Sequence, residues 1–127
     1  MQKSVLVTKF GDSVVVGEKP KPKPTTAGEV LVKVTARPIN PADLFSIAGV
    51  YPGFQPKQLP ATPSLEGAGV IEDNFGSTTI SNGQRVIVFF DAYNGEGSWQ
   101  ESMSWYLRQA LSLSLIRYLM LQLLSSL

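Results

Sequence analysis

The fold class follows from one alternating stretch, Glu29-Val30-Leu31-Val32-Lys33-Val34-Thr35-Ala36-Arg37. Apolar residues that alternate with polar ones are typical of a half-buried β-strand, so we predict a long strand here. The turn residues Thr25-Thr26-Ala27-Gly28 precede it. Before that turn, residues 19–24 alternate lysine with proline, which predicts a stiff, extended connector exposed to solvent. The chain therefore enters its first long strand through a rigid loop.

Further strands are predicted on both sides of this stretch. Runs rich in β-branched residues at Ser4–Phe10 and Ser13–Glu18 are separated by Gly11-Asp12, a dipeptide that favours a hairpin. Downstream, Glu66–Glu72 and Arg85–Phe90 have the composition of buried strands.

Residues 40–49 carry the signals of a short helix. Asn40 is a suitable N-cap, Pro41 suits the first helical position, and Gly49 can end the helix. One short helix among short strands and Gly/Pro-rich turns predicts a mainly β fold, an irregular β-barrel.

Composition limits the possible functions. The chain has 127 residues with 43% hydrophobic and 17% charged, which suits one packed domain. Its net charge of +1 gives no reason to expect a nucleic-acid partner. The chain has no cysteine and no histidine, which excludes disulfides, the usual Cys/His zinc sites and Ser-His or Cys-His nucleophiles within it. The N-terminus has only a short apolar run, so we predict no signal peptide.

Five collinear stretches carry a resemblance to a known family. They are Gly28–Val34, Ile39-Asn40-Pro41-Ala42-Asp43, Glu66-Gly67-Ala68-Gly69-Val70-Ile71, Asn82-Gly83-Gln84-Arg85-Val86 and Gly97-Ser98-Trp99-Gln100-Glu101. In this order the chain resembles medium-chain dehydrogenases/reductases. The resemblance implies a GroES-like irregular barrel of the alcohol dehydrogenase N-terminal type over residues 1–101. In that family a Rossmann domain follows, and substrate and nicotinamide lie between the two domains.

Within the family, the chain resembles the zinc-independent branch. Alcohol dehydrogenases place a cysteine before the Asp and a histidine before Glu-Gly-Ala-Gly. This chain has Asn40-Pro41-Ala42 and Leu65 at those places, so no metal is expected. The zinc-free branch includes quinone oxidoreductases and mitochondrial-type 2-enoyl thioester reductases. Residues 39–43, followed by Gly49-Val50-Tyr51-Pro52, look most like the enoyl reductases.

Tyr51 is the candidate catalytic residue by this resemblance. Hydride addition to the β-carbon of an enoyl thioester makes an enolate, which needs a hydrogen-bond donor and then a proton on its α-carbon. A phenol can supply either without a metal. The alternative is that Tyr51 is a loop aromatic that packs on the barrel rim.

Two further polar residues have two interpretations each. By the resemblance Asn40 lies near the nicotinamide of NADPH, and by local sequence it is a helix N-cap; the two roles are compatible. For Glu66, which resembles the glutamate beside the family's zinc, we expect a structural hydrogen bond. Gly67-Ala68-Gly69 is not a dinucleotide fingerprint, because the third glycine, the βαβ context and the later acidic residue are missing.

From Ser102 to Leu127 the composition changes abruptly to Leu, Ser, Tyr and Arg without Gly or Pro. Propensity alone predicts a helical tail. When its codons are read in a shifted frame, synonymous choices permit YVVVPAASSIPVPDSVPDVAAAQLL, the continuation that the family would be expected to show. Our hypothesis is therefore that residues 102–127 are translated out of frame and that no Rossmann domain follows.

The alternative for the tail is a genuine amphipathic or membrane helix. Arg117 near the middle of the apolar segment makes a bilayer span costly, so membrane insertion is not expected. Without a cofactor-binding domain, the chain alone is expected to lack dehydrogenase activity. Two further alternatives are a non-catalytic module that dimerises or binds an intact reductase, and a membrane-tailed small protein. The resemblance to the zinc-free branch implies a cytosolic or mitochondrial location, because members of that branch occur in both compartments.

Overall fold

A computed structural model describes residues 1–89, 92–106 and 113–125 of the chain. Its elements are β1 (Gln2–Leu6), β2 (Val15–Lys19), β3 (Glu29–Ala36), α1 (Pro41–Ala48), β4 (Glu66–Asp73), β5 (Arg85–Phe89), β6 (Ser102–Tyr106) and α2 (Leu113–Ser125). The mainly β prediction is confirmed. Phe90, the last residue of one predicted strand, lies outside the described residues.

Antiparallel pairing organises the strands into two sheets. β1 and β2 pair as a hairpin, as predicted, but β1 ends at Leu6, opposite Val15, so residues 7–14 connect the strands in place of the predicted Gly11-Asp12 turn. The other sheet has four strands in the order β5-β4-β3-β6. Isolated bridges from Ser4 to Gln100 and from Val7 to Ala61 connect the hairpin side to the rest of the barrel.

The core lies against the central strand β3. Residues 29–32 are buried on both faces of the strand, and the predicted alternation holds only further on, where Val34 is buried between exposed Lys33 and Thr35. The core cluster consists of Val30, Val32, Val34, Ile71, Ile80, Val88, Met103 and Trp105. In the ladder, Val30 lies opposite Trp105 and Val32 lies opposite Met103. The long strand predicted from alternation thus supplies the centre of the core.

A seam of buried polar side chains fixes β1 to the barrel. The Gln2 amide donates to Gln100 Oε1 at 2.9 Å and to the carbonyl of Ser102 at 2.8 Å, and it accepts from the Ser102 N–H at 3.0 Å. The hydroxyls of Ser4 and Thr62 lie 2.7 Å apart. Since buried polar groups are costly without partners, this pairing specifies where the N-terminal strand lies.

Helix α1 buries polar side chains and exposes apolar ones. Its buried residues are the polar Asp43 and Ser46, whereas Leu44 and Phe45 are 58% and 53% exposed. Ser46 is satisfied locally, because its hydroxyl donates to the carbonyl of Ala42 at 2.7 Å. The helix ends as predicted at Gly49, whose φ of 81° is left-handed and favours glycine.

The Leu/Ser-rich segment forms two different elements. Its first residues, Ser102–Tyr106, form β6 at the edge of the four-stranded sheet, where propensity alone favoured a helix. The predicted helical tail is present further on as α2, Leu113–Ser125. Within the described ranges, neither helix has both the length and the apolar character needed to cross a bilayer.

Candidate functional site

A hydrogen bond between Asn40 and Glu66 forms the centre of the candidate site. Asn40 Nδ2 donates to Glu66 Oε1 at 2.7 Å. Asn40 precedes α1 with extended backbone angles, and its backbone N–H donates to Asp43 Oδ2 at 2.8 Å. The buried carboxylate of Asp43 therefore fixes the residue that carries the amide. The structure contains the hydrogen bond expected for Glu66, at the start of β4.

The backbone that leads into Glu66 is unusually tight. Ser64 has a φ of 92°, a conformation that favours glycine, and its buried hydroxyl has no hydrogen-bond partner among the described residues. Gly97 passes so close to the carbonyl oxygen of Pro63 that a Cβ at this position would clash with it. The Ser98 hydroxyl then donates to the carbonyl of Glu66 at 2.6 Å. These contacts hold the first residue of β4 in place.

Arg37 closes the other side of the site. Its guanidinium donates to the carbonyl oxygens of Ser98 at 3.1 Å, Val34 at 2.9 Å and Gln100 at 3.1 Å. Partial burial lowers the pKa of Arg37, and the carboxylate of Glu101 opposes that shift. An arginine remains a cation under these conditions. Its donors serve the backbone, so Arg37 acts as a brace for the site.

An open cleft of about 420 Å³ adjoins Glu66. Its lining consists of Ala36, Arg37, Pro38, Glu66, Gly67, Ala68 and Ile87. The Trp99 indole N–H donates to the carbonyl of Pro38 at 3.3 Å and thereby fixes one rim. The cleft is mostly apolar, and Asn40 and Glu66 meet at its edge. Such a combination suits the binding of a small organic group.

Tyr51 lies at the opposite end of α1 from Asn40. The helix has eight residues, which at about 1.5 Å per residue separates its ends by about 12 Å. The Tyr51 ring lies over Gly53, where an added Cβ would approach the ring to 2.6 Å. Its hydroxyl makes no hydrogen bond among the described residues. The structure thus brings Asn40 and Glu66 together and leaves Tyr51 apart, with a phenol available to a ligand.

The described residues do not form a cradle for dinucleotide phosphates. Helix α1 presents its N-terminus to the carboxylate of Asp43, which repels a phosphate there. Gly67 and Gly69 lie inside strand β4 instead of opening a helix. The described residues around α1 and β4 therefore offer no site for the phosphates of a dinucleotide. Within the same part of the chain, no group of three or more metal-ligating side chains comes together.

Comparison with known families identifies the domain. Residues 26–110 match the alcohol dehydrogenase GroES-like domain. The chain belongs to this family. The domain is the N-terminal part of medium-chain dehydrogenases/reductases, as the five collinear stretches predicted, and the match extends past residue 101.

Several curated proteins are similar to this GroES-like domain. It is 36% identical over 104 residues to the synaptic vesicle membrane protein VAT-1 homolog of Rattus norvegicus, covering 79% of this chain and 24% of the relative. It is 41% identical over 90 residues to the mitochondrial enoyl-[acyl-carrier-protein] reductase of Caenorhabditis elegans, covering 70% of this chain and 23% of the relative. The chain thus spans about a quarter of the length of the curated relatives it matches.

Solved structures show the same fold. An alcohol dehydrogenase superfamily protein from Novosphingobium aromaticivorans superposes with a TM-score of 0.78 at 24% identity, covering 88% of this chain and 34% of the other. A quinone oxidoreductase from Pseudomonas syringae gives 0.72 at 24% identity, covering 90% and 34%. At this identity the likeness concerns the fold of the GroES-like domain.

Two features of the site were not predicted from the sequence. One is the brace formed by Arg37, and the other is the left-handed backbone at Ser64. The only sequence signal for the brace is a cation at the end of the long β3 stretch. Nothing in the local sequence marks Ser64, because serine does not favour a positive φ.

Proposed function

We propose that the chain supplies the substrate domain of a zinc-independent, NAD(P)H-dependent reductase that acts on an enoyl thioester or a quinone. The observation that carries the proposal is the hydrogen bond from Asn40 to Glu66. In the zinc-dependent members that the chain resembles, these positions adjoin the metal ligands. Here a neutral amide donates to one oxygen of that carboxylate without a metal, which supports a site for an organic ligand.

In this proposal Tyr51 is the hydrogen-bond donor or proton donor to the substrate. The hydroxyl has no partner among the described residues, so it is free to donate to a thioester oxygen or to the enolate carbon. Gly53 leaves room for the ring to lie flat in the loop after α1. An unengaged phenol beside an apolar loop supports this role.

The cofactor of the proposal is NADPH, which supplies a hydride when bound. Asn40 offers an amide that can hydrogen-bond the nicotinamide carboxamide at the cleft beside Glu66. The phosphates must be held by residues beyond those described, because Asp43 occupies the α1 N-terminus. We therefore propose that the domain works together with a cofactor-binding domain. The names of the enoyl reductase and quinone oxidoreductase relatives support the substrate classes.

The first test is an activity assay on the 127-residue chain. NADPH oxidation is followed with crotonyl-CoA, a longer enoyl-CoA and a benzoquinone as substrates. We expect no turnover above background, because the described residues do not hold the phosphates of the hydride donor. Measurable turnover by the purified chain would show that the cofactor binds without a second domain.

The second test restores a cofactor domain. Residues 1–106 are fused to the cofactor domain of an enoyl reductase, and enoyl-CoA and quinone reduction are measured. We expect Tyr51→Phe to lower kcat by about 10²-fold or more, the size typical of a lost acid or oxyanion donor. Tyr106→Phe, a tyrosine on the edge strand, is the matched control. Equal rates for Tyr51→Phe and Tyr106→Phe would exclude a catalytic role for the phenol.

A second candidate function is a non-catalytic module that binds another copy of the chain or an intact reductase. The exposed apolar residues around α1, namely Ile39, Leu44, Phe45 and Val50, favour it. Gel filtration of the chain mixed with a full-length reductase tests it. Co-elution that Leu44→Ser abolishes would support this module, whereas separate elution would reject it.

Our proposal for residues 102–127 is out-of-frame translation of the segment that should continue the domain. A strand ladder is made by backbone groups, so the pairing of β6 with β3 is compatible with either reading frame. Sequencing the messenger around the codons for Glu101 and Ser102 decides the question. A message in which no frame encodes the expected continuation would end this hypothesis. For the chain as a whole, we also propose a cytosolic or mitochondrial location.

A further inference from the structure

A cavity of about 490 Å³ lies between the Lys-Pro connector and the barrel, apart from the site around Asn40 and Glu66. We call it the connector cavity. Apolar side chains form most of its wall, namely Leu6, Pro20, Pro22, Pro60 and Met103. Its volume falls within the range of about 300–1,000 Å³ that small-molecule sites occupy. The connector was predicted to be only a solvated link between strands, whereas it forms one wall of this space.

Two polar residues that line the connector cavity, Thr62 and Gln100, are buried and hydrogen-bonded. Thr62 is fully buried and Gln100 is 3% exposed. The Thr62 hydroxyl is paired with Ser4, and the Gln100 amide donates to the carbonyl of Gly97 at 2.7 Å. Water in an apolar space gains little without free polar partners. An apolar molecule, in contrast, restores the dispersion contacts that the wall atoms lack.

Two ion pairs hold the connector over the cavity. Lys19 Nζ lies 2.8 Å from Glu96 Oε2, and Lys21 Nζ lies 2.5 Å from Glu72 Oε2. The prolines between and after these lysines restrict the backbone to an extended conformation. The two ion pairs and the extended proline backbone together place the connector over the cavity.

The charged groups at the mouth of the cavity lie beside groups of opposite sign. Lys19 is paired with Glu96, and the exposed Glu18 lies opposite Lys3 in the β1–β2 ladder. An anion inside the cavity would therefore gain no unpaired cation and would lose its hydration. The lining therefore selects against acids.

We propose that the connector cavity is a binding site for a neutral, compact apolar molecule of one to three rings. The ligand enters beside Glu18 and packs against Leu6 and Met103 under the prolines of the connector. This site is independent of the proposed reductase function, because neither Tyr51 nor Asn40 contributes to it.

The test uses two probes that share one ring system. N-phenyl-1-naphthylamine is neutral, and 1-anilinonaphthalene-8-sulfonate carries an added sulfonate. We expect the neutral probe to bind the 127-residue chain with one-to-one stoichiometry, at least tenfold more tightly than the sulfonate. Leu6→Trp, which fills the cavity, should weaken the neutral probe at least tenfold. The variant Met120→Ser/Leu123→Ser/Leu124→Ser, which removes exposed apolar surface from α2, should bind it as the wild type does.

Methyl NMR on the wild-type chain decides the location even if Leu6→Trp does not fold. The neutral probe should shift the methyl signals of Leu6, Thr62 and Met103, which all line the cavity. Shifts confined to Met120, Leu121 and Leu123, or loss of binding in the α2 variant, would overturn the proposal. So would unchanged binding by a folded Leu6→Trp variant, or preference for the sulfonate.

Discussion

Strand β6 and helix α2 come from the same Leu/Ser-rich segment, yet the fold treats them in opposite ways. In β6, Met103 and Trp105 are 2% and 1% exposed and belong to the core. In α2, the described side chains, Arg117 and Met120–Ser125, are all exposed. Leu123 and Leu124 are 64% and 62% exposed although they are as apolar as any core residue.

The difference shows that apolar composition alone does not create a core element. β6 completes a sheet edge, where β3 offers backbone partners and a buried face for alternate side chains. The polar residues of β6 also find partners, since the Ser104 hydroxyl donates to Glu29 Oε2 at 2.6 Å and that of Ser102 donates to Glu72 Oε1 at 3.2 Å. The described leucines of α2 are as apolar and remain exposed to solvent.

The largest effect is expected from shortening the chain on either side of β6. A chain that ends at Glu101 loses Met103, Trp105 and one strand ladder, and we expect it to lose cooperative folding. A chain that ends at Tyr106 should unfold like the full chain. Urea unfolding followed by circular dichroism measures both. Since a domain is stabilised by only about 5–15 kcal/mol, loss of two core side chains is decisive. A cooperative transition with unchanged midpoint for the shorter chain would show that β6 is dispensable.

A single substitution in each element sharpens the contrast. Trp105→Ala removes a fully buried side chain from the core and should lower the free energy of unfolding by about 3–5 kcal/mol. Leu123→Ala, the matched change in α2, should stay within about 0.5 kcal/mol. Both values come from urea titration. Similar losses in the two variants would mean that α2 packs on the barrel in solution.

A smaller effect on stability is expected from the hydrogen bond between Ser104 of β6 and Glu29, which depends on pH. The hydrogen bond from Ser104 is the largest cause that lowers the pKa of Glu29 below its usual 4.5, with Thr25 and Thr26 contributing and desolvation opposing. A carboxyl whose pKa is lowered on folding stabilises the protein above its unfolded pKa, and this stability is lost as pH falls through the folded pKa. Ser104→Ala should therefore reduce stability at neutral pH by less than about 1 kcal/mol, because solvent screens the pair.

The same variant should also change less between neutral and acidic pH than the wild type does. Ser13→Ala, an exposed serine on the hairpin turn, is the control and should leave the pH profile unchanged. If Ser104→Ala and the wild type lose equal stability on acidification, a carboxyl other than Glu29 determines how stability depends on acidic pH.

The smallest effect on stability is expected from the apolar surface of α2. Replacing Met120, Leu123 and Leu124 by serine should alter the free energy of unfolding by no more than about 0.5 kcal/mol. Self-association should fall, since exposed leucines promote aggregation. Sedimentation velocity measures it, with Leu44→Ser on α1 as the comparison. If the α2 variant still self-associates and Leu44→Ser does not, the surface responsible for self-association lies on α1.

Much of the framework was predictable because its signals are local. The α1 boundaries at Asn40 and Gly49 follow from cap residues, and the pairing of β1 with β2 was predicted, although the long connection over residues 7–14 was not. β6 also carried a local signal that composition concealed, because Met103 and Trp105 alternate with Ser102 and Ser104. Treating residues 102–127 as one helical segment hid that alternation.

The candidate site was predictable only in its parts. Asn40 and Glu66 were each singled out, but their hydrogen bond joins residues 26 positions apart and depends on how α1 meets β4. The left-handed backbone at Ser64 depends on the close approach of Gly97 to Pro63. Contacts of this kind arise from packing between elements and have no signature within one stretch of sequence.

By itself, the sequence determined strands β3, β4 and β5, helix α1, the family and the absence of cysteine and histidine ligands, since residue type and short-range spacing control these. Only the tertiary structure decided that Trp105 is buried while Leu123 is exposed, and that a proline connector encloses a cavity. Burial is a relation between surfaces, so it is fixed only when the chain has brought a complementary surface to each side chain.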